Sequence, residues 1–222
     1  MLQESARLSP DPILIGMVNE YKKRLLAKKE NKVWERLFDD QASVPRPLPV
    51  ISQLPHYNWL FIYALTCDRW LAEDEVIVQQ LKSDYCSHQQ FSPACATHQL
   101  MGYLFMDRFG CRDGRFDKTG IPVLQKEIVL QLTWDIRVVD VYIQRVLMLT
   151  VTGAGDQIKP VWISRILEAQ AEDGGWDDFD PLFPGGGGSY VGFTNKGIAI
   201  GRGNSRLHST GQAIYLLSLL LK

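Results

Sequence analysis

The feature that most constrains the fold is a repeat. Four segments, HYNWLFIYAL from His56, HQLMGYLFM from His98, DVYIQRVLML from Asp140 and HSTGQAIYLL from His208, each open on a polar residue and continue as a nearly unbroken apolar run. Their starts are separated by 42, 42 and 68 residues, and a glycine-rich insertion at 180–206, DPLFPGGGGSYVGFTNKGIAIGRGNSR, accounts for the longer third interval. Between them lie LAEDEVIVQQLKSDY, IPVLQKEIVLQL and IKPVWISRILEAQ, whose apolar positions three and four apart are those of amphipathic helices. A period of about 40 residues that couples a buried helix to an amphipathic one is the signature of stacked helical hairpins.

The spacing predicts helices over about 12–28, 31–40, 56–69, 71–85, 96–109, 121–133, 136–152, 159–171 and 208–221. Strand alternation is scarce, so the expected class is all-α, one domain over 1–222 with N-terminal helices at 1–45 and hairpin repeats over 46–222. The glycine-rich stretch at 180–206 reads as a long loop, a lid or a disordered segment.

One helix stops with unusual punctuation, RILEAQAEDGGWDDF at 165–179, in which Gln170, Gly174 and Trp176 follow the last apolar positions. This spacing resembles the Gln-Trp motif of squalene and oxidosqualene cyclases, and AEDGGW followed by LHSTGQAIYLL is similar to a passage of protein prenyltransferase β subunits. CRDGRF at 111–116 is a degenerate echo, with Phe116 in place of Trp. The resemblance implies an α/α toroid of the terpenoid cyclase and prenyltransferase superfamily, incomplete or open here because the hairpins are few. In that setting the Gln side chain is expected to cap a helix end, with the Trp stacked over it. The resemblance also implies a zinc-binding role for His208. The Asp and Cys zinc ligands of the prenyltransferases have no counterpart.

The repeat places His56, His98, Asp140 and His208 at equivalent positions near the starts of the apolar helices. In a toroid these face one mouth of the cavity, and three imidazoles with a carboxylate suit zinc or iron. The other reading is helix caps, or a catalytic His–Asp pair with Asp140 and His208 as acid and base. Further along the same helices, Trp59, Tyr63, Gln144, Gln212 and Tyr215 are candidates for a substrate cavity or for the core. The acids of DDFD at 177–180 lack the spacing of either a protonating or a magnesium-binding motif and read as solvated acids or caps. GGGG and GRGN lead into no Lys-Ser/Thr ending, which argues against a nucleotide cradle. Arg202 and Arg206 can reach an anionic substrate or be ordinary loop charges.

A net charge of −1 argues against a nucleic-acid partner. The cations Lys22, Lys23, Arg24, Lys28, Lys29, Lys32 and Arg36 read as a solvated helix face or, alternatively, as a surface for an acidic partner or an anionic membrane. No apolar run reaches the roughly 18 residues that span a bilayer. Cys67, Cys86, Cys95 and Cys111 show no CxxC spacing and read as reduced thiols of a cytoplasmic protein. Three functions follow as expectations. The first is a small metal-dependent enzyme that takes an apolar, isoprenoid-like molecule. The second is a binding module without chemistry that meets a protein partner or a second copy. The third is an acid-only sugar-processing enzyme using Asp140 and Asp107.

Overall fold

The computed structural model describes residues 1–27, 29–44, 56–89, 92–111 and 118–221. The chain is mostly helical, and it divides into two compact units, 11–124 and 125–222, the second also taking in 1–10.

In the 11–124 unit, helix α2 (Pro12–Leu26) starts where the Asp11 carboxylate accepts the N–H groups of Ile13 and Leu14, with proline in the first turn. A 3-10 stretch, Lys29–Leu37, follows and packs on α3 (His56–Thr66). There Arg36 departs from the expected solvated face. Its Nη1 donates to the Leu65 carbonyl at 2.6 Å, and its guanidinium lies 4.6 Å from the centre of the Phe109 ring. The helix expected over 71–85 is interrupted. Asp68 and Asp74 each cap a new start, giving α4 (Arg69–Ala72) and α5 (Glu75–Gln80). Helix α6 (Cys95–Phe109) ends at Gly110, φ +67°, and packs on α3. Gly102 allows that approach, because a Cβ there would come within 2.8 Å of Leu60 Cγ.

All four cysteines are paired, Cys67 with Cys111 and Cys86 with Cys95. This corrects the reading as reduced thiols, which rested on spacing alone. Disulfide partners are set by where the helix ends meet in space, and a CxxC pattern has no bearing on that.

The division between units falls within α7 (Gly120–Trp134). Beyond it come α8 (Asp140–Val151), α9 (Pro160–Glu168) and α10 (Leu207–Leu220). Nine consecutive residues of α8, Val141–Leu149, are buried, as an apolar helix packed on all sides must be. Helix α9 buries only Trp162 and Ile166 and is amphipathic, as its sequence suggests. Helix α10 packs across α8, and α1 (Leu2–Leu8), absent from the sequence reading, packs on α10.

The glycine-rich stretch is not a loop, and the chain is therefore not all-α. It forms an antiparallel sheet in the order β1 (Phe179–Gly186), β2 (Ser189–Thr194), β3 (Gly197–Gly201). Gly187 and Gly188, at φ +58° and +73°, make the first turn, where two successive positive φ values suit the twist of a two-residue hairpin. Asn195 and Lys196 make the second. The Phe179 ring lies against Gly192, where a side chain would collide with it, and against Gly201, where a Cβ would fit only tightly.

At Gln170 and Trp176 the side chain that caps the helix end is not the expected glutamine. The Trp176 indole N–H donates to the Ile166 carbonyl at 2.7 Å, so the tryptophan caps the end of α9. Gln170 instead donates to the Gly174 carbonyl at 2.7 Å and closes the loop after the helix. The Trp176 N–H donates to Thr210 Oγ1, and its carbonyl accepts the Arg206 N–H, tying the joint to the start of α10. Trp176→Phe keeps most of the buried area and orphans the Ile166 carbonyl. We expect a loss of about 1–3 kcal/mol in urea unfolding.

Candidate active site

Two of the sequence-selected residues meet. Asp140 is the first residue of α8 and His208 the second of α10, and packing of these helices brings His208 Nδ1 to 2.7 Å from Asp140 Oδ1. A carboxylate only accepts, so Nδ1 carries the proton and Nε2 holds a lone pair. Ser209 Oγ donates to the same Asp140 oxygen at 3.2 Å. The Gln212 amide nitrogen stands 3.4 Å from Nδ1 and 3.2 Å from Nε2. Such nearly equal distances place the amide beside the ring rather than along the outward axis of either nitrogen. The His208 side chain is 58% exposed and that of Asp140 16%. The hydrogen bond that His208 donates to Asp140 raises the His208 pKa above its ordinary value, against a smaller lowering by burial, and the charge of Asp140 adds to the rise. Gln212 is fully buried, and its Oε1 accepts no hydrogen bond among the described residues.

The sheet belongs to this site's framework. The Val138 N–H donates to Asp180 at 3.0 Å, and the Val141 N–H to Asn195 at 3.4 Å. Val139, the N-cap of α8, offers no side-chain cap of its own, so Asn195 of the β2–β3 turn caps the first turn while Asp180 of β1 holds the residue before the cap. The acids of DDFD are structural in the same way. Asp177 accepts the Asn204 N–H at 2.7 Å, Asp178 pairs with Arg206 at 3.4 Å, and Asp180 holds Val138. Arg202 donates to the Gly187 carbonyl across the sheet.

The remaining candidates fall elsewhere. His98 belongs to the 11–124 unit, where Nδ1 lies 2.7 Å from the Ala94 carbonyl and the ring stacks on Phe61. His56 opens α3, and its side chain lies outside the described residues, as does CRDGRF beyond Cys111. Tyr63 is buried and Trp59 half-buried on α3; Gln144 is buried on α8 and Tyr215 half-buried on α10. Asp107 is exposed and paired with Lys118. Among the described residues, no group of three or more His, Cys, Asp or Glu is placed to hold a metal ion.

The sequence reading missed a charged cluster between α7 and α8. Asp135 accepts Arg137 Nε at 2.7 Å, Arg137 Nη2 at 2.8 Å and Arg145 Nη1 at 2.8 Å. Burial alone would raise the Asp135 pKa, but these hydrogen bonds outweigh it and hold the carboxyl below its usual range. Arg145, an arginine inside an apolar helix, was the available signal, since a buried guanidinium requires a carboxylate partner.

No protein-family model matches the chain, and no curated protein and no solved structure matches it.

Proposed function

We propose that the chain is an enzyme in which His208, oriented by Asp140, moves a proton on a largely apolar small molecule. The observation that carries this reading is the 2.7 Å contact of Nδ1 with Asp140, on a ring whose side chain is 58% exposed. In this arrangement Nε2 takes the proton as general base, Asp140 stabilises the imidazolium that forms, and the same nitrogen returns the proton as general acid. Buried α8 and the Trp176-sealed joint support a helical-hairpin scaffold of the terpenoid cyclase and prenyltransferase type, with an isoprenoid-like substrate as the matching class. The expected zinc or iron would take Nε2 with Asp140 behind it, an arrangement common among metal-bound histidines. Among the described residues no group of three or more His, Cys, Asp or Glu completes that set.

Two disulfides favour an oxidising compartment. The cytoplasmic expectation rested on reduced thiols and loses that support. No described helix is long and apolar enough to cross a membrane. A second reading, a partner-binding module, is favoured by one observation: Phe183, Ile198 and Ile200 are exposed on one face of the sheet.

The test is an NMR titration of His208 in the wild type and in Asp140→Asn, with elemental analysis of untagged protein alongside. We expect a midpoint above about 6.5 in the wild type and a fall in the variant. The sign has two consequences. The ion pair stabilises the fold below the ordinary histidine pKa and is lost as pH rises through the raised one, whereas base catalysis requires the neutral ring and grows over that same rise. An ordinary midpoint, unchanged by Asp140→Asn, removes the dyad. Stoichiometric zinc or iron that is lost in His208→Ala replaces proton transfer with metal chemistry.

A further inference from the structure

We propose that an open pocket of about 470 Å³ on the 125–222 unit binds small carboxylates with an aliphatic or aromatic body. Its lining includes Trp134, Asp135, Ile136, Arg137, Arg145 and Phe193. Neither Asp140 nor His208 is among the lining residues, so the inference is independent of the proposed proton transfer.

The charged base of the pocket is built. Arg145, 3% exposed in its side chain, is held by Asp135 at 2.8 Å and by Gln131 Oε1 at 2.9 Å. Arg137 grips both oxygens of Asp135 and reaches the Thr194 carbonyl at 3.4 Å. The Arg137 backbone N–H also donates to Asp135, at 3.1 Å. The lining thus carries two guanidiniums for one carboxylate, whose oxygens already accept four N–H groups. Glu127, one turn earlier on α7 and outside the lining, accepts the Gln131 amide N–H, and its charge acts on Arg145. Asp135 and Thr194 take three of the five Arg137 guanidinium N–H groups, and the two that remain suit a carboxylate oxygen.

The rim is apolar. Trp134 is 78% exposed and Ile136 66%. Phe193 continues this wall onto the sheet, where its cross-strand partner Ile198 is also exposed. A carboxylate head toward Arg137 and an apolar tail across Trp134, Ile136 and Phe193 satisfy both halves of the site.

The test titrates the full chain, at neutral pH and low salt, with octanoate, octanol and octylamine, followed by calorimetry and tryptophan fluorescence. We expect saturable octanoate binding, octanol weaker by about tenfold, and no octylamine binding. Decanoate should bind more tightly, by up to about fourfold for each added methylene that is fully buried. Arg137→Gln should weaken octanoate by about tenfold. Ile136→Ser, at an exposed position that leaves the fold intact, should weaken octanoate and decanoate alike. Equal binding of all three probes, no saturation at millimolar octanoate, or wild-type affinity in Ile136→Ser overturns the proposal.

Discussion

Asp135→Asn should destabilise the protein by about 3–5 kcal/mol, because it leaves the buried Arg145 guanidinium without its counter-charge. Asparagine keeps the shape and loses the charge, so a large effect isolates electrostatics from packing. Pairing Asp135→Asn with Arg145→Met should recover much of the loss, since replacing both partners of a buried pair by neutral groups often costs little. Urea unfolding of the two single variants and the double variant measures this directly. The pH dependence has a definite sign. The Asp135 carboxyl is held below its usual range when folded, so its contribution is present above about 3.9 and lost as pH falls through the lower folded value. A single variant as stable as the wild type shows that Arg145 has another way to be compensated.

Removing Cys67–Cys111 should cost about 4 kcal/mol, and removing Cys86–Cys95 about 2.6 kcal/mol. The difference comes from the unfolded state: the first bridge closes a separation of 44 residues, the second one of 9. Paired Cys→Ala variants, unfolded in urea without reductant, separate the two. Equal losses would place the stabilisation in native packing around the bridges. Free thiols in the mass spectrum of the native protein would remove the pairings altogether.

Much of the helical framework was legible. The run from Val141 to Leu149 reads as a nearly all-apolar helix, and it is buried throughout, Gln144 and Arg145 included. The starts of α3, α8 and α10 lie within a residue of the polar positions that define the repeat, whereas α6 begins three residues before His98. The sheet was missed because its strands are short and glycine-rich. The SYVGFT–NK–GIAIG pattern, two apolar runs around a two-residue turn, was its signal. The break between α4 and α5 was hidden because Asp68 and Asp74 look like ordinary surface acids until their carboxylates are seen to cap backbone N–H groups.

Of the four residues aligned by the repeat, Asp140 and His208 touch, whereas the His98 ring is occupied by its own helix and Phe61. Sequence by itself determined the local properties: helical periodicity, the apolar faces, the Gln170–Trp176 joint and the polar starts of the repeated helices. These follow from spacing along one chain, where 3.6 residues make a turn. Only the tertiary structure decided the pairings: which cysteines bond, which carboxylate meets Arg145, that the indole rather than the amide caps α9, and that Asp140 orients His208. Each depends on residues from 9 to 68 positions apart meeting within a few ångströms. Helix packing sets such distances, and no local pattern encodes them.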